Sequence, residues 1–217
     1  MIKGVVFDMD GLMFDTEKIG KDAWQQAARH LACGFSDQLF HKILGTNLVT
    51  TIEILEGELG DKIDVRRLRE IHDVYFAGCI EEKGVPVKNG LKELLEYLRT
   101  NGYGVTAASS TSKDKVRDYF KKAGVSEYFG EIVGGDMVEK SKPEPDIYLK
   151  AAEVLGLSPF ECLALEDSPH GILSAYRAGL MPIMIPDLVE PDEETSRLLY
   201  AKLPSLLDVI VLLKNIK

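Results

Sequence analysis

The sequence has few cysteines and no long apolar stretch, and each shortage excludes a class of protein. Only three cysteines, Cys33, Cys79 and Cys162, occur among the 217 residues. Their odd number and wide spacing predict neither a disulfide framework nor a CxxC metal site. No stretch approaches the ~20 consecutive apolar residues that span a membrane, and the first residues lack the pattern of a secretory signal. We therefore expect a cytoplasmic protein with reduced thiols.

Positive charge is also scarce. The chain has 26 lysines and arginines against 35 aspartates and glutamates, which gives a net charge of -9. An acidic surface argues against nucleic acid or an anionic membrane as the main partner. It leaves room for a small phosphorylated metabolite at a locally positive site, and it predicts no particular protein partner.

Strand and helix patterns alternate in two separated parts of the chain. Residues 2–7 are an apolar, β-branched run that predicts a buried strand. From residue 84 onward, strand patterns alternate with amphipathic helices, such as the one that places Leu91, Leu94, Leu95 and Leu98 on one face. This alternation predicts an α/β fold, a doubly wound parallel sheet with helices on both faces.

The residues between these two parts show helical patterns and no strand. Because a lone strand cannot form a domain, the first strand must join the later sheet. We therefore predict an α/β core domain made of residues 1–15 and 84–217, and an inserted helical cap domain of residues 16–83. Residues 14–16 and 84–88 are then the two connecting segments.

Polar side chains follow several of the predicted strands, at the edge where doubly wound sheets bind ligands. A lysine in a loop before a later helix joins them. We expect these side chains to converge on one site. They are Asp8, Asp10, Ser109, Ser110, Lys142, Glu166 and Asp167.

These residue types favour phosphoryl transfer. Two carboxylates at one strand end repel each other unless a cation lies between them, and the oxygens of Asp8, Asp10 and Asp167 suit Mg²⁺. Ser109, at a strand-to-helix turn, favours phosphate binding, and Lys142 would offset the developing phosphoryl charge. The set fits an aspartyl-phosphate mechanism, with Asp8 as nucleophile and Asp10 as general acid and base.

The order of the motifs resembles the haloacid dehalogenase superfamily, in its β-phosphoglucomutase and phosphatase branch. The matching segments are Asp8-Met9-Asp10-Gly11 with Asp15-Thr16, the strand ending at Ser109, Lys142-Pro143, and Leu165-Glu166-Asp167-Ser168. The resemblance spans the whole chain and implies a Rossmann-like core with an α-helical cap. The second carboxylate, Asp10, separates the chain from the dehalogenases of the superfamily.

The resemblance also implies roles for these residues. Asp8, Asp10, Glu166 and Asp167 would hold or position Mg²⁺, with Asp10 contributing its backbone carbonyl. Ser109, Ser110 and Lys142 would bind phosphate. Specificity would come from the cap, near Gly20, Trp24 and the loop of residues 45–48. Asp15 is expected to tie its loop or cap a helix, and His30, His41 and His72 are expected on the surface.

The substrate implied is a small phosphomonoester, in particular a sugar phosphate. β-Phosphoglucomutases carry a histidine where this chain has Gly20 and a cap arginine near the position of Leu48. A mutase must keep its phosphoenzyme for the next acceptor, so the lack of both groups favours hydrolysis. A β-phosphoglucomutase-type mutase and a non-catalytic, ligand-binding protein of this fold are the alternatives.

Overall fold

The computed structural model describes residues 1–46, 48–60 and 63–216. Its centre is a six-stranded parallel sheet with the strand order β3-β2-β1-β4-β5-β6, which confirms the predicted α/β fold. The strands are β1 (Gly4–Phe7), β2 (Gly104–Ser109), β3 (Val133–Gly134), β4 (Cys162–Glu166), β5 (Met181–Met184) and β6 (Ala201–Lys202).

The described parts of the chain contain ten α-helices. They are α1 (Thr16–His30), α2 (Asp37–Ile43), α3 (Leu48–Leu59), α4 (Val65–Lys83), α5 (Leu91–Thr100), α6 (Lys113–Ala123), α7 (Asp146–Leu155), α8 (Pro169–Arg177), α9 (Glu193–Leu198) and α10 (Leu206–Asn215). None of the described helices is long and apolar enough to cross a bilayer.

The central strands are buried on both faces. Along β1, the side chains of Val5 and Phe7 enter one apolar core, while that of Val6 enters the other. Successive side chains of a strand point to opposite faces, so a run that is apolar at every position requires a sheet covered on both sides. The apolar sequence of β1 therefore places this strand at the centre of the sheet.

Helices α1–α4 form a helical insertion, residues 16–83, between β1 and β2 in the chain. They share a third apolar core that includes the fully buried Leu55 and Leu68. The segments that enter and leave the insertion run side by side, because the Asp15 N–H donates to the Pro86 carbonyl (2.9 Å) and the Lys88 N–H donates to the Met13 carbonyl (2.9 Å). The division of the chain into two domains stays a prediction.

The sequence patterns predicted no helix or strand beyond residue 185, where the structure adds α9, β6 and α10. Strand β6 has only two residues, too few for a recognisable alternation. Helix α10 packs against α5 and buries Leu206, Val209 and Leu213. Its sequence is apolar at most positions, so its helical period is hard to recognise.

Candidate active site

The carboxyl ends of three neighbouring strands bring the predicted residues together. Asp8 directly follows β1, Ser109 ends β2 and Glu166 ends β4. Because β1 pairs with both β2 and β4 in parallel, these ends lie at one edge of the sheet. The Asp8 N–H donates to the Leu165 carbonyl at 3.0 Å, so the β1–β4 pairing sets the position of the Asp8 backbone.

Lys142 is a buried cation at the centre of this cluster. Its Nζ lies 2.5 Å from Asp8 Oδ1, 2.6 Å from Glu166 Oε1 and 3.1 Å from the Ala108 carbonyl oxygen. Burial opposes the charge of the ammonium group, but the carboxylates of Asp8 and Glu166 outweigh it and raise the pKa of Lys142. Lys142 is therefore charged and pairs with two carboxylates at once.

Glu166 is fully buried, and both of its carboxylate oxygens accept hydrogen bonds. Oε1 accepts from Lys142 and from the Tyr148 hydroxyl (2.6 Å). Oε2 accepts from the Ser168 backbone N–H (3.3 Å) and hydroxyl (3.0 Å). Glu166 thereby orients Lys142 toward Asp8. Sequence reasoning missed Tyr148, since its place on the apolar face of α7 indicates only a core residue.

Three of the four predicted metal ligands meet at one point. Carboxylate oxygens of Asp8, Glu166 and Asp167 all lie within 4.8 Å of one another. Gly11 makes room for this arrangement, because its φ is +82° and a Cβ there would lie 2.1 Å from Asp167 Oδ2. The Asp10 carboxylate is held elsewhere, by the hydroxyls of Thr16 (2.7 Å) and Thr111 (3.2 Å). The role of each residue toward a metal stays a prediction.

The acidic cluster fits a divalent cation. Burial raises the pKa of Asp8 to about 8; Lys142 opposes this shift, and Glu166 adds to it. Burial also raises the pKa of Asp167 well above its ordinary value, with the negative charges of Asp8 and Glu166 adding to the effect. Three buried carboxylates thus share one lysine, and a cation would favour their ionised forms. Their hard oxygen atoms are the ligands that Mg²⁺ prefers.

The serines after β2 lie beside the carboxylates. The buried Ser109 hydroxyl accepts a hydrogen bond from the Thr111 N–H (3.1 Å). Helix α6 takes Ser112 as its N-cap residue, so Ser109 is not a helix cap. The Ser110 hydroxyl donates to the Gly45 carbonyl (3.3 Å), which is a direct contact between the sheet and the helical insertion.

A cavity of about 530 Å³ extends from Asp8 to the helical insertion. Its walls include Gly20, Trp24, Gly45, Thr46 and Leu48, which sequence analysis placed near the cap site. Asn47, from the same predicted loop, lies outside the described residues. The cavity is also lined by residues that sequence reasoning did not assign to it: Glu17, Arg69, His72, Phe76, Lys115 and Tyr119.

The surface prediction for the histidines of the insertion was right for His30 and His41 but wrong for His72. The first two are exposed, whereas His72 is only 6% exposed. A helical signal was available, since His72 lies four residues after the buried Leu68 on α4 and residues four apart share a helix face. Polarity alone led to the surface assignment.

Asp15 ties its loop through an ion pair and does not cap a helix. It occupies the N-cap position of α1, but its side chain makes no capping hydrogen bond. Its carboxylate lies 3.5 Å from Lys88 Nζ, which also contacts Asp187 Oδ1 at 2.5 Å. Lys88 therefore joins both connecting segments to the loop after β5.

The chain is similar to several known proteins. The family model of haloacid dehalogenase-like hydrolases matches residues 5–185. The YhcW protein of Bacillus subtilis (strain 168) is 35% identical over 191 residues, covering 87% of this chain and 86% of that protein. Hexitol phosphatase A of Escherichia coli (strain K12) is 31% identical over 185 residues, covering 84% and 82%.

A solved structure extends the likeness to three dimensions. CbbY from Rhodobacter sphaeroides, crystallised in complex with phosphate, superposes with a TM-score of 0.82 at 25% identity, covering 96% of each chain. The family match covers most of the chain, and the fold agrees with it. The protein therefore belongs to the haloacid dehalogenase-like hydrolase family, as its motifs predicted.

Proposed function

We propose that this haloacid dehalogenase-type phosphatase hydrolyses a small sugar phosphate, with Mg²⁺ as cofactor, through a covalent intermediate on Asp8. The observation that carries the proposal is the setting of Asp8. This side chain follows the central strand, pairs with Lys142, and lies beside two more buried carboxylates at the end of a cavity. Such a site binds a phosphoryl group next to an oxygen nucleophile.

Asp8 would act as the nucleophile. Its Oδ1 accepts from Lys142, and no residue in the described parts of the chain donates to its Oδ2. In the first step an Asp8 oxygen forms a bond to phosphorus while the bond from phosphorus to the leaving oxygen breaks. In the second step water attacks phosphorus and the Asp8–phosphorus bond breaks, which releases inorganic phosphate and restores the carboxylate.

Asp10 would transfer the protons in both steps. Its carboxyl group gives a proton to the leaving oxygen in the first step and takes one from water in the second. In the structure its two oxygens accept hydrogen bonds from Thr16 of the insertion and Thr111 of the loop after β2. Both of these hydroxyls position the Asp10 carboxylate at the junction between sheet and insertion.

Asp8, Glu166 and Asp167 would hold or position the cation, with the Asp10 backbone carbonyl as a further ligand. Bound Mg²⁺ supplies positive charge to the transferring phosphoryl oxygens. Lys142, which pairs with Asp8, supplies a second positive charge, and Ser109 with the neighbouring backbone N–H groups would bind the remaining oxygens. Glu166, with its oxygens occupied by Lys142, Tyr148 and Ser168, contributes mainly by orienting Lys142.

The helical insertion would serve as a cap domain over the site. A volume of about 530 Å³ lies within the range of pockets for small ligands, roughly 300–1,000 Å³. A cavity enclosed by a lid favours small metabolites and excludes water when the lid closes. The name of the similar hexitol phosphatase A supports a phosphorylated polyol or sugar as the substrate.

A substrate panel tests the reaction class. The wild-type protein should release phosphate from sugar phosphates and from 4-nitrophenyl phosphate with Mg²⁺, and EDTA should abolish the release. The Asp8→Asn variant should be folded by circular dichroism but inactive, whereas Asp114→Asn, at an exposed aspartate on α6, should behave like wild type. Phosphate release by Asp8→Asn, or a rate insensitive to EDTA, would contradict the proposal.

The mutase alternative has a separate test. Gly20 and Leu48 line the cavity, and neither offers the imidazole or guanidinium group that a mutase would use to retain a second phosphate. We expect β-glucose 1-phosphate, primed with a bisphosphate, to be hydrolysed faster than it is isomerised. Isomerisation that outpaces phosphate release would establish the mutase.

A further inference from the structure

His72 has a polar environment that the proposed hydrolysis does not use. Its ring stacks on Trp24, with centroids 4.1 Å apart and planes 27° apart, and it packs on Phe76 at 5.8 Å. Its Nδ1 lies 2.9 Å from Asp73 Oδ1. Aromatic stacking on one side and a hydrogen bond on the other hold the ring in one orientation at the cavity wall.

The second nitrogen of this ring is free to meet a ligand. A carboxylate only accepts hydrogen bonds, so Nδ1 carries the proton and Nε2 presents a lone pair. Burial lowers the pKa of His72 below its ordinary value, which keeps the ring neutral near pH 7. No residue in the described ranges bonds to Nε2. In those ranges, Asp187 Oδ2 is the one side-chain oxygen or nitrogen that is both fully enclosed and without a partner. Nε2, which has no partner, is therefore not fully enclosed. The lone pair of Nε2 is therefore accessible from the cavity that His72 lines.

Two further polar groups line the same cavity. Arg69 donates its Nε–H to Asp73 Oδ1 (2.8 Å) and stacks over Trp24, which leaves its terminal N–H groups available. Tyr119, on α6, is a buried residue whose hydroxyl has no partner among residues 1–46, 48–60 and 63–216 and is not fully enclosed. The wall thus offers an acceptor, a donor, and a hydroxyl that can do both.

The acceptor on His72 favours a hydroxyl group over a second phosphate. Asp73 offsets the charge of Arg69 through the ion pair at 2.8 Å, and the ring of His72 is neutral. A lone pair on Nε2 attracts a hydroxyl proton and repels an anion. Lys115, an exposed residue of α6, adds one positive charge to the cavity, with its Nζ 5.5 Å from the ring centroid of Phe76 and 6.0 Å from that of Tyr119.

We propose that His72, Arg69 and Tyr119 form a hydroxyl-recognition subsite that binds the leaving group of the substrate, with His72 Nε2 as the hydrogen-bond acceptor. The proposal rests on the proposed phosphatase function and deepens it. The substrate class is then a phosphomonoester of a polyol or sugar whose hydroxyls lie away from the phosphate. Asp73 is a positioning residue, because it sets the tautomer of His72 and the direction of Arg69.

A comparison of two substrates in one variant tests the subsite. His72→Phe keeps a flat ring on Trp24 but removes both nitrogens. Leaving a substrate hydroxyl unpaired should lower kcat/KM about 10- to 100-fold for the best sugar phosphate of the panel. For 4-nitrophenyl phosphate, whose leaving group has no aliphatic hydroxyl, kcat/KM should change by less than about twofold.

Four further measurements complete the test. His72→Gln, whose side-chain oxygen can replace Nε2 as an acceptor, should restore part of the lost kcat/KM. Tyr119→Phe deletes one hydroxyl and should show the same selective loss even if His72→Phe fails to fold. His30→Phe makes the same replacement at an exposed site and should leave kcat/KM unchanged for both substrates. For wild type, kcat/KM should be lower for one monodeoxy analogue than for the parent sugar phosphate. The factor should equal the one by which His72→Phe lowers kcat/KM for the parent sugar phosphate.

The outcomes separate the two proposals. If wild type hydrolyses neither substrate, the phosphatase function fails. The subsite is overturned if wild type is active but the folded variants His72→Phe and Tyr119→Phe show the same fall in kcat/KM for both substrates. It is also overturned if they show a fall for neither substrate. The residues would then be structural. A selective loss on bisphosphorylated sugars alone would also overturn it, because it would show a subsite for a second anion.

Discussion

At the scale of single residues, the buried charges of the site share a small set of partners. Lys142 serves both Asp8 and Glu166, and Glu166 in turn needs Tyr148 and Ser168. A buried charge that loses a partner keeps its desolvation cost without the compensating interaction. The residues that never touch substrate therefore matter for stability as much as for catalysis.

Tyr148→Phe tests this dependence. The change removes one hydrogen bond to the buried carboxylate of Glu166 and should lower the free energy of unfolding by about 1.5–3 kcal/mol. Urea unfolding followed by circular dichroism measures the loss. Tyr176→Phe, at a residue that is 53% exposed, is the matched control and should be neutral. Equal stability of both variants would show that Tyr148 is not needed to hold Glu166.

Gly11→Ala tests the close approach of Asp167. A Cβ at this position would lie 2.1 Å from Asp167 Oδ2, so the carboxylate must move away from Asp8. We expect a higher Mg²⁺ concentration for half-maximal activity. Gly102→Ala is the control, since φ is +74° there but nothing lies within 4 Å of the added Cβ; it should lose stability by about 1–2 kcal/mol with an unchanged Mg²⁺ requirement. The same requirement in both variants would refute a role of Gly11 in placing Asp167.

At the scale of elements, the sheet positions Asp8, the proposed nucleophile, and the insertion supplies the other wall of the cavity. The strand ends are held by backbone pairing that does not depend on the side chains of the site. The insertion has its own apolar core, and it reaches the site through the Ser110–Gly45 and Asp10–Thr16 contacts. Changes in the core of the insertion should therefore affect turnover from a distance.

Leu68→Ala examines that connection. Leu68 is fully buried between the helices of the insertion, and truncation of such a leucine costs about 2–5 kcal/mol. Because α4 also carries Arg69 and His72, turnover of the sugar phosphate should fall as well. Leu149→Ala, at an exposed leucine of α7, should leave both properties unchanged. Chemical unfolding and steady-state kinetics of the two variants decide the matter; full activity of a destabilised Leu68→Ala would separate the core of the insertion from the site.

At the scale of the whole molecule, the acidic cluster links stability to pH and to metal. Asp8 has an ordinary pKa of 3.8 that burial raises to about 8 in the folded chain. Between these values the folded state binds more protons than the unfolded state, so this group makes stability fall as pH rises from about 4 to 8. Asp167 acts in the same direction. The ionised cluster is thus unfavourable near neutral pH without a cation.

Added Mg²⁺ should therefore raise the melting temperature, and more at pH 8 than at pH 5.5, because protons compete with the cation for the same carboxylates. At a concentration 100 times its Kd, a ligand of the folded state adds about 2.7 kcal/mol. Differential scanning fluorimetry with Mg²⁺ or EDTA at both pH values measures the effect. Asp8→Asn should show a smaller shift at pH 8. A shift that is equal at both pH values would argue against binding at this cluster.

The sheet and the end of the cavity at the strand ends were largely predictable. Alternating strands and helices require a parallel sheet, and the carboxyl ends of neighbouring parallel strands meet at one edge. That rule alone places Asp8, Ser109 and Glu166 together. No such rule gave the positions of Tyr148 and His72. The apolar helix face that carries Tyr148 indicated only a core residue, and the polar side chain of His72 was compatible with either a surface or a cavity position.

The sequence by itself determined the fold class, the family and the residues of the strand-end cluster, because these depend on local periodicity and on motif order. Only the tertiary structure decided which carboxylates lie together and which one is held apart. Asp8, Glu166 and Asp167 lie together, and a buried lysine pairs with the first two. The Asp10 side chain instead bonds to Thr16 and Thr111. It also decided that His72 is buried at the cavity wall. Such contacts join residues far apart in the chain, and they follow from the packing of the insertion on the sheet, which no local pattern records.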